Sequence, residues 1–74
     1  MKFNVTRYRG KWTAWWTRSY EQSRSIEEVE LIAYSMIHFS DRFFVHEKKN
    51  CKLYIYEIRF NTDQELDWFL LQWG

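Results

Sequence analysis

The chain has 74 residues, 46% hydrophobic, 28% charged and 22% aromatic, with a formal net charge of +1. A chain this short buries only about 60% of the surface that its unfolded form exposes, which allows one core and excludes a second. The apolar content excludes intrinsic disorder, and the single cysteine, Cys51, excludes an intramolecular disulfide.

A domain this small without disulfides is expected in the reducing cytoplasm. Residues 1–7 carry no apolar run of signal-peptide length, and no stretch approaches the roughly 20 apolar residues that cross a bilayer, so neither export nor a membrane partner is expected. Zero Pro and two Gly, Gly10 and Gly74, leave no material for a linker or a glycine-rich loop. Residues 1–74 read as a single domain.

Residues 3–20 predict a β-hairpin. With Arg9-Gly10 as a two-residue turn, Phe3 falls opposite Trp16, Val5 opposite Ala14 and Arg7 opposite Trp12. Asn4, Thr6, Tyr8, Lys11, Thr13 and Trp15 then share the other face. Arg7 on the apolar side is expected to stack on Trp12, and Trp15 on the polar side is either covered by another element or left for a ligand.

Ser25-Ile26-Glu27-Glu28 matches a capping box, in which Ser25 accepts from the Glu28 amide and Glu28 reaches back. The helix it opens has Val29, Ile32, Ala33, Met36 and Ile37 at helical spacing as its expected buried stripe, with Leu31 and Tyr34 at the margin and an end at Ser40-Asp41. A second hairpin follows, with strands over residues 42–47 and 51–60. They are joined through Lys48-Lys49-Asn50, where Asn50 is the residue suited to positive φ. Leu53 and Ile55 lie in one phase and Tyr54, Tyr56, Ile58 and Phe60 in the other, so this strand is expected to be central or bulged. Thr62-Asp63-Gln64-Glu65 is a second capping box, followed by Leu66, Phe69, Leu70 and Trp73 on one helical face. The order ββαββα predicts an α+β two-layer sandwich: a four-stranded, mainly antiparallel sheet with two helices packed on one face.

Catalytic pieces are sparse. His46 and Cys51 could approach across the second turn, but no oxyanion-hole turn or third group accompanies them, so the chain is not expected to be an enzyme. His38, His46 and Cys51 lack the paired spacing of structural zinc, no dinucleotide or Walker pattern occurs, and no cofactor is expected. The acidic residues Glu27, Glu28, Glu30, Asp63, Glu65 and Asp67 stand in first helical turns, where the helix dipole favours them.

Charge is segregated. Residues 1–24 hold six basic side chains against Glu21, a net of +5, and residues 25–74 hold five against nine acids, a net of −4. A basic hairpin bearing Tyr8, Trp12, Trp15, Trp16 and Tyr20 has cations for phosphates and rings for bases. Arg9-Gly10-Lys11-Trp12-Thr13-Ala14, strand-turn-strand ahead of a helix, resembles the hairpins of plant AP2-type and phage-integrase arm-type DNA-binding domains, which place three strands before the helix rather than two. The same Trp, Tyr and Arg side chains also suit protein recognition. Trp68 and Leu71 lie off the main stripe of the last helix, facing a neighbouring strand or the mate of a homodimer.

Tyr56-Glu57-Ile58-Arg59-Phe60, followed by the capped helix with Glu65-Leu66 and Trp68-Phe69-Leu70-Leu71-Gln72-Trp73-Gly74, resembles the strand-helix ending of small uncharacterised accessory proteins of large tailed bacteriophages. That resemblance implies a protein that inhibits or redirects a host protein, such as a defence component, in the host cytoplasm. With Val5, Trp12, Trp16, Phe69 and Trp73 assigned to the core, the leading expectation is a non-enzymatic protein-binding module. A nucleic-acid-binding module is the alternative. The contact residues in either case are Arg7, Tyr8, Arg9, Lys11 and Trp15, with Trp68 as an outlying member.

Overall fold

Arg9 and Gly10 both adopt positive φ, 53° and 79°, the signature of a two-residue turn whose twist matches that of the strands it joins. It connects β1 (Asn4–Tyr8) to β2 (Lys11–Ser19) with Val5 opposite Ala14 and Arg7 opposite Trp12, the register expected from the sequence. The computed structural model describes residues 2–74. After β2 come α1 (Ile26–His38), β3 (Phe43–Lys48), β4 (Leu53–Arg59) and α2 (Asp63–Trp73). The strands form one antiparallel sheet in the order β1-β2-β4-β3. The fold is therefore the α+β sandwich in ββαββα order that the sequence predicts, and among the described residues no helix is long and apolar enough to cross a membrane.

Central placement explains why β4 is apolar in both phases. Its Tyr56 and Ile58 meet Trp16 and Ala14 of β2 on the helix-covered face, while Ile55 and Glu57 meet Thr17 and Trp15 on the open one. Ala14, Trp16, Tyr56 and Ile58 join Leu31, Phe39, Phe60, Leu66 and Phe69 in one buried cluster, so both helices close over the same face. Rings dominate it. Trp16 stacks on Tyr56 at 5.2 Å, Phe39 meets Phe60 edge-on at 5.5 Å, and Phe69 bridges Phe60 at 5.4 Å and Phe3 at 5.2 Å. Each such pair stabilises by about 0.5–1.5 kcal/mol beyond the area it buries. Val5, Trp12 and Trp73, expected in the core, are partly buried against it.

Both helices start where their caps predict, since Ser25 accepts from the Glu28 amide at 3.1 Å and Thr62 from the Glu65 amide at 3.2 Å. The acidic partners behave differently from each other. Glu65 accepts from Arg42 Nη1 at 2.7 Å and from the Asn61 amide at 2.6 Å, and these bonds, with the Thr62 amide of the capping box, hold its carboxyl below the usual range. Glu28 does not reach back. It turns into the core and accepts from the buried Trp16 indole N–H at 3.1 Å.

That bond sets the rotation of α1. Its buried residues are Glu28, Leu31 and Ser35, continued by Phe39 beyond the helix end, with Ser35 donating to the Leu31 carbonyl at 2.7 Å. The expected stripe is thereby turned outward: of Val29, Ile32, Ala33, Met36 and Ile37, Ile32 alone is half-buried and the rest are exposed. The second turn also departs from expectation. Its loop runs through residue 52, closed by the bonds Cys51 N–H to Lys48 O and Lys52 N–H to Lys49 O. The positive φ of 53° therefore falls on Lys52 and not on Asn50.

Truncating Glu28 leaves Trp16 without its acceptor and the Arg18 guanidinium beside it without its counter-charge. Glu28→Ala is expected to cost about 3 kcal/mol, and Glu28→Gln, which keeps an acceptor for the indole, measurably less. Urea unfolding midpoints of the two variants check the order. Glu65 supplies a pH signature, because its depressed carboxyl stabilises the folded state above the ordinary carboxylate pKa and loses that contribution as pH falls through its folded value. Glu65→Ala should flatten the acid limb of the stability profile and cost about 1 kcal/mol at neutral pH.

Candidate interaction surfaces

Strand alternation divides the side chains of the basic hairpin between two faces. Tyr8, Lys11 and Trp15 fall on the open face of the sheet, and Arg7 falls on the helix side, with its guanidinium 5.4 Å from the Trp12 ring, the stacking expected from the sequence. Arg9 occupies the turn, 5.2 Å from the Tyr8 ring. Trp68 is exposed on α2, in the other layer. The six sequence-selected residues therefore do not form one surface, and three of them share a face.

The open face continues beyond the hairpin. Trp15 is half-buried, aligned with Asn4 of β1, Glu57 of β4 and, one strand on, Phe44 of β3. Arg59 lies 4.1 Å over the Phe44 ring and pairs with Glu57 at 3.0 Å, while His46 Nε2 stands 3.5 Å from the same carboxylate. Tyr8, Trp15, His46, Ile55 and Glu57 help line a shallow hollow of about 340 Å³. A carboxylate therefore occupies the middle of the face, and it neutralises the cation nearest to it.

The helical layer carries the larger apolar exposure. Ile26 is 79% exposed, Ile37 75% and Met36 60%, with Val29 and Ala33 between them on the same side of α1, and Trp68 and Leu71 are exposed on α2. Beside α1, towards the sheet edge, Ile32, Met36, Phe43, Val45 and Tyr56 line a groove of about 400 Å³, with Arg24 and Ser40 at its rim.

The structure keeps His46 and Cys51 apart. His46 is engaged with Glu57 on the open face, whereas Cys51 is exposed in the β3–β4 loop and borders a different hollow with Ser19, Tyr20 and Lys52. Among the described residues no group of His, Cys, Asp and Glu could hold a metal ion. Strong pKa perturbation can mark a catalytic group, and here it falls on Tyr20, pushed up to about 12 by donating its phenol hydrogen bond to Glu47. The cause is one exposed contact tying the end of β2 to β3.

Comparison of the chain with protein families, with curated proteins and with solved structures finds no match. Sequence reasoning missed the outward face of α1 as a candidate site because it assigned those residues to the core. The available signal was the need of a buried Trp for an acceptor, which Glu28 supplies from the first turn of α1.

The raised Tyr20 pKa means that its bond stabilises the fold below the ordinary phenol pKa and ceases to do so as pH rises through about 12. In an absorbance titration, Glu47→Gln should bring ionisation of Tyr20 to lower pH, with Tyr20→Phe identifying its share of the signal.

Proposed function

We propose that this chain is a non-enzymatic protein-binding module whose contact surface is the outward face of α1. One observation carries the reading: Ile26, Val29, Ala33 and Ile37 face solvent together on a helix whose buried side contains Glu28 and Ser35. Contiguous apolar exposure of this kind marks a surface that another protein covers, and the i, i+3, i+7, i+11 spacing suits docking into a groove or against another helix. Trp68 and Leu71 on α2 supply further apolar side chains in the same layer. The partner proposed is a host protein, with the chain acting as a phage accessory protein that inhibits or redirects it. Support for that identity is the C-terminal resemblance over residues 56–74.

A second reading rests on the open sheet face, where Trp15, Tyr8 and Phe44 offer stacking surfaces close to Lys11 and Arg59. Stacked rings and cations suit single-stranded nucleic acid. Glu57 counts against it, since a carboxylate amid the rings repels phosphate and already pairs with Arg59.

Immobilised wild-type chain should enrich a specific protein from bacterial lysate. The double variant Ile26→Glu/Ile37→Glu, whose sites are exposed and whose unfolding midpoint should be unchanged, should bind that protein at least about tenfold more weakly. Retained binding by the variant removes this surface from the proposal. Anisotropy titrations with oligonucleotides decide the second reading: affinity that falls steeply with salt and is lost in Arg9→Glu/Lys11→Glu supports it, and no binding at low salt eliminates it.

A further inference from the structure

We infer that β3 pairs with β3 of a second copy of this chain, joining two four-stranded sheets into one continuous sheet. The strand is an edge, hydrogen-bonded to β4 on one side, with no strand on the other among the described residues. Natural edges are blunted by charge, proline or a covering element. The opposite edge obeys that rule, with Arg7 inside β1 and Lys2, Arg9 and Lys11 around it. β3 carries its charges, Glu47 and Lys48, in its second half only; its first half, Phe43-Phe44-Val45, has none, and Val45 is 53% exposed although it lies on the face that the helices cover. Helix α1 leaves that row half open, and the gap is the groove lined by Ile32, Met36, Phe43, Val45 and Tyr56.

The apolar half of the strand, Phe43-Phe44-Val45, is complementary to itself. Antiparallel pairing about a two-fold axis normal to the sheet and passing midway between the two copies of Phe44 sets Phe43 opposite the partner's Val45, Val45 opposite the partner's Phe43, and Phe44 opposite the partner's Phe44. Directly opposed residues in an antiparallel pair share a face, so the Phe43–Val45 contacts fall on the helix side and the Phe44 contact on the open side. The same axis brings both copies of α1 to one face of the joined sheet and makes the two grooves adjacent. Met36, 60% exposed at the groove wall, then faces an apolar neighbour in place of water. A short strand pair alone falls below the roughly 1,200 Å² of a stable interface, and the groove side chains enlarge it. The net charge of +1 per copy opposes association weakly.

This interface uses Met36 and Val45, whereas the protein-binding face uses Ile26 and Ile37, so the two can fail independently. Sedimentation velocity over a wide range of concentrations, with hydrogen exchange on the same samples, tests it. The wild-type chain is expected to shift from monomer to dimer as concentration rises, with the β3 amides that point away from β4 gaining protection in step. Val45→Lys and Met36→Glu, both at exposed positions, are each expected to weaken the dimer by more than about tenfold, and Ile37→Glu to leave it unchanged. A monomer at every concentration overturns the inference, as does a dimer that survives both variants or forms without protecting β3. Protection of β3 that appears only with an extended peptide from another protein also overturns it, by assigning the edge to a different occupant.

Discussion

The hydrogen bond from the Trp16 indole to the Glu28 carboxylate is the constraint on which the arrangement of the two layers depends. An indole N–H taken out of water usually finds an acceptor; that of Trp73 is buried without one, whereas Trp16, 3% exposed at the centre of the sheet, has Glu28. Glu28 meets the requirement from the first turn of α1, and a carboxylate that enters a core must itself be compensated. Arg18 provides the compensation, with Nε 3.5 Å from the same oxygen, close enough for charge pairing although outside hydrogen-bond geometry. Its Nη groups donate to the Gln22 carbonyl at 2.9 Å and the Tyr56 hydroxyl at 3.0 Å, and Tyr56 also accepts from Arg24 at 3.2 Å. One indole thus draws α1, β2, β4 and the connection before α1 into a single polar network.

Such a network adds less net stability than its contact list suggests, because desolvating the pair offsets much of the attraction. What it adds is a unique orientation. An amphipathic helix lying on a flat sheet can rotate by a few tens of degrees with little change in buried area, and a buried carboxylate with a fixed donor removes that freedom. The cost is visible on the other side of α1, where Val29, Ala33, Met36 and Ile37 remain in water. Complete burial of a Val, Ile or Met side chain stabilises by about 1.5–3 kcal/mol, and Val29, Met36 and Ile37, at 52%, 60% and 75% exposure, forgo part of it. A chain of this size has little stability to forgo, so this conflict between local pattern and tertiary packing is the place where a functional surface is expected.

What was legible in the sequence is whatever local chemistry decides. Arg9-Gly10 dictated the first turn and, through it, the register of Val5 with Ala14 and Arg7 with Trp12. Ser25 and Thr62 marked both helix starts, and the two-sided apolar pattern of β4 placed it inside the sheet. The rotation of α1 was not legible, since its apolar residues at 29, 32, 33, 36 and 37 make a better amphipathic stripe than the observed set of Glu28, Leu31 and Ser35. Choosing between them requires knowing that Trp16 lies under residue 28, which is a fact of packing. Strand parity already separated Arg7 from Tyr8, Lys11 and Trp15. The share of the open face held by Phe44, Glu57 and Arg59 depends on strand order, which alternation cannot supply.

The aromatic excess finds its explanation in the same economy of size. Rings bury more area per residue than aliphatic side chains do, and here Trp16, Phe39, Tyr56, Phe60 and Phe69 fill most of the interior. With the core closed by rings, the aliphatic residues of α1 are not needed inside, and they can stand on the surface without leaving a void beneath them. On the proposed reading, the distribution inverts the usual expectation that rings mark the binding face and aliphatics the core. Of the two hairpin rings on the polar side, Trp15 is half-buried beside Glu57 and Tyr8 is exposed next to the turn, so on that reading recognition falls chiefly to aliphatic side chains presented by a helix that an internal hydrogen bond holds in place.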